Sequence, residues 1–156
     1  MPTLEIGICN NKAFTLLELV VVIFIVSLVL AVSFPTFTLQ KDRKLKSEAG
    51  HIASILRYLN DSSISRKENY AVNINFNEKT MNYDGPDGKK VERLDNLSRI
   101  TTQSRGNVSS GEVTVFLSPT GAGENFSIHL TGNESSMEVV FNALSGRVKV
   151  LKDEGV

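Results

Sequence analysis

Hydrophobic and polar positions divide this chain into three zones. From Phe14 to Phe37 nearly every residue is apolar, with one carboxylate, Glu18, close to the start. At the α-helical rise those 24 residues would extend about 36 Å, enough to cross a bilayer. Further on, Leu45, Ala49, Ile52, Leu56 and Leu59 recur at spacings of four and three, one apolar stripe along a helix. Lys46, Ser47, Glu48, His51, Ser54 and Arg57 fall between them and are expected on the opposite face. The helix is predicted to run from the apolar zone to about Ser63, apolar all round in its first half and amphipathic in its second.

Beyond Arg66 the period changes to alternation. Tyr70, Val72, Ile74 and Phe76 alternate with Ala71, Asn73 and Asn75, which predicts a half-buried strand. Asn77–Thr80 reads as a turn, with Met81–Tyr83 as the hairpin partner, and Asp84-Gly85-Pro86-Asp87-Gly88 as a second turn. Leu94, Leu97 and Ile100 fit either one helical turn or a loop, and residues 101–111 read as a polar surface loop. Val113–Leu117, Phe126–Leu130, Met137–Phe141 and Arg147–Leu151 are expected as strands, separated by Ser118–Gly123, Thr131–Glu134 and Ser145-Gly146. The fold class expected is α+β: a long N-terminal α-helix packed on an antiparallel β-sheet C-terminal domain.

Composition narrows the chemistry. The chain has 17 basic and 17 acidic residues, so no net charge draws it to nucleic acid or to an acidic substrate. Its single cysteine, Cys9, precedes the apolar zone. The two histidines, His51 and His129, have no metal-ligand spacing and no acidic partner at a telling distance in sequence. Asp84–Lys90 (D-G-P-D-G-K-K) misses the phosphate-loop template, because Tyr83 stands where its first glycine is required, and lacks calcium-loop spacing. Five Asn-x-Ser triplets, at Asn60, Asn96, Asn107, Asn125 and Asn133, read as Asn/Ser-rich loops. Arg147, Lys149 and Lys152 make a small basic edge without interleaved aromatics, beside Asp153 and Glu154. No catalytic residue, metal or cofactor is expected, and the chain is not expected to be an enzyme or to bind nucleic acid.

Glu18 is the anomaly, since a carboxylate within a membrane-length helix costs about 2.5–3.5 kcal/mol at the bilayer centre. The surrounding residues, K-A-F-T-L-L-E-L-V-V-V from Lys12, resemble the class III signal of type IV pilins and type II secretion pseudopilins. The resemblance implies that a prepilin peptidase cuts between Ala13 and Phe14 and N-methylates Phe14. It also implies that Glu18 pairs with the new amino terminus of a neighbouring subunit during assembly, and that the helix kinks at Pro35. The family prefers Gly before the cut, where this chain has Ala13. The implied organisation is a leader at 1–13, a transmembrane and filament-core helix at 14–37, and a periplasmic globular domain with a pilin-like fold at 38–156.

Two sequence features pull the other way. Ala31-Val32-Ser33 loosely fits an ordinary signal-peptidase site. Lys41, Arg43, Lys44 and Lys46 follow the apolar zone whereas only Lys12 precedes it, and by the positive-inside rule that places the C-terminal domain in the cytoplasm.

A second resemblance lies in the tail. Phe116 with Thr120-Gly121, and Ser145-Gly146-Arg147-Val148, are similar to the closing region of the GspH/FimT-like family of minor pseudopilins and minor pilins. It implies a minor pseudopilin of a type II secretion system, held in the bacterial inner membrane by one pass. Such a subunit assembles into a pseudopilus that pushes substrates across the outer membrane. The implied partners are other pilins or pseudopilins through the N-terminal helix, the prepilin peptidase, an inner-membrane assembly platform and membrane lipid. A minor type IV pilin, serving pilus initiation, motility or DNA uptake, and a signal-anchored periplasmic binding module are the alternatives.

Overall fold

A computed structural model describes residues 15–133 and 135–153, without the side chains of residues 31–42 and 153. One helix, α1, runs from Leu16 to Arg66. Nine strands follow: β1 (Tyr70–Asn75), β2 (Thr80–Gly85), β3 (Gly88–Arg93), β4 (Leu97–Thr102), β5 (Gly106–Val108), β6 (Glu112–Leu117), β7 (Phe126–Thr131), β8 (Ser136–Asn142) and β9 (Arg147–Asp153). The chain divides into two compact units, Met1–Thr38 and Leu39–Val156. The first, as far as it is described, is helix; the second contains the rest of α1 and all nine strands.

The second unit is α+β, with two antiparallel sheets where the sequence suggested one. The first has the order β3-β2-β1-β6 and the second β5-β4-β7-β8-β9. Alternation decides which side of each strand is buried: Tyr70, Val72 and Ile74 with Val113, Val115 and Leu117 in the first sheet, Phe126, Ile128 and Leu130 with Val139 and Phe141 in the second. The helix stripe completes this core, since Leu45, Ala49, Ile52, Leu56 and Leu59 are all fully buried. Close approaches tie α1 to both sheets. Gly85 of β2 lies against Leu59, Gly132 after β7 against Leu45, and the Arg57 guanidinium donates to the Val148 carbonyl at 3.1 Å.

Four local readings need correction, each for a physical reason. The helix continues past Ser63 to Arg66 because Lys67 takes a left-handed conformation (φ 56°) and the Glu68 N–H returns to the Ser63 carbonyl at 3.2 Å, a C-terminal cap. Leu97 and Ile100 belong to strand β4 rather than to a helical turn or a loop, and Leu94 is a buried residue of the turn that leads into it. A β-bulge between Leu97 and Arg99 shifts the register, so Leu97 and Ile100 face the core together although three residues apart. Residues 101–111 are not one loop, since β4 extends to Thr102 and β5 pairs with it. β3 went unread because Gly-Lys-Lys-Val-Glu-Arg shows no alternation: it is an edge strand with no buried side chain.

The Asn-x-Ser triplets are also not simply loops. Asn60 is buried inside α1, and Asn107 lies in β5. Asn96 is held by Glu48, which accepts from its backbone N–H at 3.3 Å and from its side chain, and Asn125 accepts from the Ala143 N–H at 2.8 Å.

Candidate functional site

The start of α1 is the site toward which the sequence points. Thr15 lies just outside the helix and acts as its N-cap: its Oγ1 accepts the Glu18 N–H at 3.2 Å, and its carbonyl accepts the Leu19 N–H at 3.1 Å. The T-x-x-E spacing of Thr15 and Glu18 is that of a capping box, a signal the sequence reading passed over. Glu18 therefore also stands in the first turn, where the partial positive charge of the helix N-terminus favours a carboxylate. This local role exists before any neighbour arrives, and it gives the acid a reason to be tolerated in an apolar helix.

From Leu16 to Leu30 the large apolar side chains have no partner face. Their exposure ranges from 47% at Val22 to 81% at Leu16, on every side of the helix. Ser27, the polar residue of this stretch beyond Glu18, turns its hydroxyl back to the Ile23 carbonyl at 2.7 Å, which satisfies its donor without water. A soluble monomer seldom exposes so large a continuous apolar surface. Among the described residues, no helix is long and apolar enough to cross a membrane; described side chains in this zone stop at Leu30 and resume at Arg43.

The other expected site residues fall as follows. Ala13 and Phe14, the expected cleavage and methylation residues, lie outside the described residues, as does Cys9. The helical backbone runs through Pro35, so the proline does not end α1, and its side chain is outside the description. Both histidines gain an acidic neighbour that sequence spacing did not reveal. His51 Nε2 is 3.2 Å from Glu92 on β3, and His129 Nε2 is 3.6 Å from Glu138 on β8. His129 is buried on the outer side of the second sheet, within reach of Thr101, Ser127 and Arg99. Among the described residues no three His, Cys, Asp or Glu side chains group as metal ligands. Arg147, Lys149 and Lys152 do not form one basic edge, because strand alternation turns Lys152 to the opposite face of β9 from the other two. The Asp84–Gly88 turn is a hairpin tip, where Asp87 accepts the Tyr58 hydroxyl at 2.6 Å.

A capped, unpartnered apolar helix leading into an α+β domain defines a class of subunit whose N-terminal helix needs a non-aqueous environment. Residues 8–34 match the family described as the prokaryotic N-terminal methylation motif. The chain thus carries a prokaryotic N-terminal methylation motif that runs into the start of its apolar helix. No match is found among curated proteins. Among solved structures, the type IV minor pilin FimU of Pseudomonas aeruginosa PAO1 is similar over 72% of this chain and 92% of that one, at 12% identity and a TM-score of 0.48. Nothing further about this chain follows from a likeness of that size.

Proposed function

We propose that this chain is a minor pilin-class subunit that enters a filament through its N-terminal helix, and that the filament is the pseudopilus of a type II protein secretion system. The carrying observation is the all-round exposed apolar segment Leu16–Leu30, which starts at a capped helix end inside the matched methylation motif. In this reading the prepilin peptidase cuts between Ala13 and Phe14, and the freed Phe14 amine is methylated. The helix waits in the inner membrane with the globular domain in the periplasm. Glu18 then pairs with the Phe14 amine of an adjacent subunit, which offsets the cost of its charge in an apolar surround and sets the axial register. The subunit is structural and has no reaction of its own.

Mass spectrometry of the purified chain tests the first step. The expected mature terminus is N-methyl-Phe14, absent from cells lacking the peptidase; cleavage after Ser33, or none, would sink the filament reading. For the pairing step, Glu18→Gln keeps shape and removes charge. Normal processing with lost filament incorporation is expected, and unchanged incorporation would leave Glu18 only its role in the helix cap. Deletion of the gene followed by assays of secretion and of surface pili separates the pseudopilus from a type IV pilus: lost secretion with intact pili is expected, and the reverse would overturn the secretion assignment.

A further inference from the structure

The outer face of the first sheet uses its polar groups in two ways. On the side of β6 and β1, Asn75 Nδ2 donates to Glu112 at 2.9 Å and Asn73 Nδ2 to Thr114 Oγ1 at 3.0 Å, so that half is closed on itself. On the side of β2 and β3, Asn82, Asp84 and Lys89 make no side-chain hydrogen bond or ion pair with any described residue, although Asp84 and Lys89 are cross-strand partners. These three, with Ala71, Tyr83, Lys90 and Val91, line an open pocket of about 400 Å³. Ala71 is the small residue in its floor. Directly across the ladder from Ala71 stands Phe116, 56% exposed, and on the far side Val91 is 67% exposed.

From this arrangement we propose that the outer face of β2–β3, with Phe116 at its margin, binds a hexose unit of a neutral glycan. The volume lies within the range of small-ligand pockets, about 300–1,000 Å³. A sugar hydroxyl both donates and accepts, so a row of them satisfies a group that only accepts (Asp84), one that only donates (Lys89) and one that does both (Asn82). Asp84 offsets Lys89, and Lys90 lies 4.0 Å from the Asp87 carboxylate, so the charges around the pocket balance, which favours an uncharged ligand over an anion or a cation. Phe116 and Val91 supply apolar surface for the C–H faces of pyranose rings. A peptide strand adding to this sheet would instead use the free backbone edge of β3 and leave the side-chain pocket empty. The proposal does not depend on the filament reading, and either can fail alone.

The test is a calorimetric titration of the full chain, held in micelles of a detergent without a sugar headgroup. Maltohexaose, cellohexaose and chitohexaose are the probes, up to about 10 mM, a concentration that detects even weak association. At least one is expected to bind. Asp84→Asn and Phe116→Ala should each weaken it about tenfold, the effect of losing one hydrogen bond to a charged group or one aromatic contact. Glu112→Gln, on the self-satisfied half, should leave it unchanged. Binding of none of the three sugars, or binding that Asp84→Asn and Phe116→Ala both leave intact, would overturn the proposal.

Discussion

Two stretches of the same helix meet opposite fates. Between Leu16 and Leu30 every large apolar side chain is exposed, and between Leu45 and Leu59 the apolar stripe is fully buried. Both stretches contain Leu and Ile, so these residue types alone do not separate them. Arrangement does. Apolar residues on all sides cannot be covered by one domain, whereas a stripe with Lys46, His51, Ser54 and Arg57 opposite needs only the sheets of its own chain. The first stretch stores its burial for an outside environment; the second uses it to hold the fold.

That contrast can be broken by substitution. The largest effect is expected from Leu56→Ala, which removes a fully buried side chain from the core and should cost about 2–5 kcal/mol in urea unfolding of the micelle-held chain. Leu19→Ala should leave the same unfolding curve in place, and an equal loss there would erase the distinction. Next comes Gly146→Ala. Gly146 sits at φ 63°, and a Cβ there would run into the Asn60 side chain, so a cost of about 1–3 kcal/mol is expected in the same measurement. Thr15→Ala removes the N-cap and should weaken the first turns of α1 by about 1 kcal/mol, seen as faster amide exchange near Glu18 with no change in the globular domain; Thr15→Ser should restore protection.

The smallest effect concerns pH. The hydrogen bond to Asp87, with burial adding to it, raises the Tyr58 hydroxyl above its ordinary pKa of 10.0. Because the folded value is raised, this contribution is present in full below pH 10.0 and is lost as pH climbs through the folded value. Stability in urea unfolding should therefore fall slightly as pH climbs above 10.0, and Tyr58→Phe should lessen that fall.

Much of this was legible in the residue pattern, for identifiable reasons. The helix stripe and the strands β1, β6, β7 and β8 carry strong periods because one face of each packs into the apolar core. β3 left no trace because an edge strand with exposed side chains needs no apolar alternation, and β4 was disguised by its bulge. Of the candidate site, the apolar zone and Glu18 stood out by composition. The Thr15 cap was present in the spacing but overshadowed by the stronger reading of Glu18 as an assembly residue. The acidic neighbours of His51 and His129 come from other strands, at separations that no local spacing encodes.

The bond from Arg57 to the Val148 carbonyl spans 91 residues. At elongation rates of about 5–20 residues per second, the amphipathic part of α1 leaves the ribosome roughly 5–20 s before its last covering strand is made. During that interval Leu45, Ile52 and Leu56 are as naked as the segment before them. If the first stretch is held in a membrane, as proposed above, the chain carries an unfinished core while it is still being made, and this second stripe needs protection until β9 arrives.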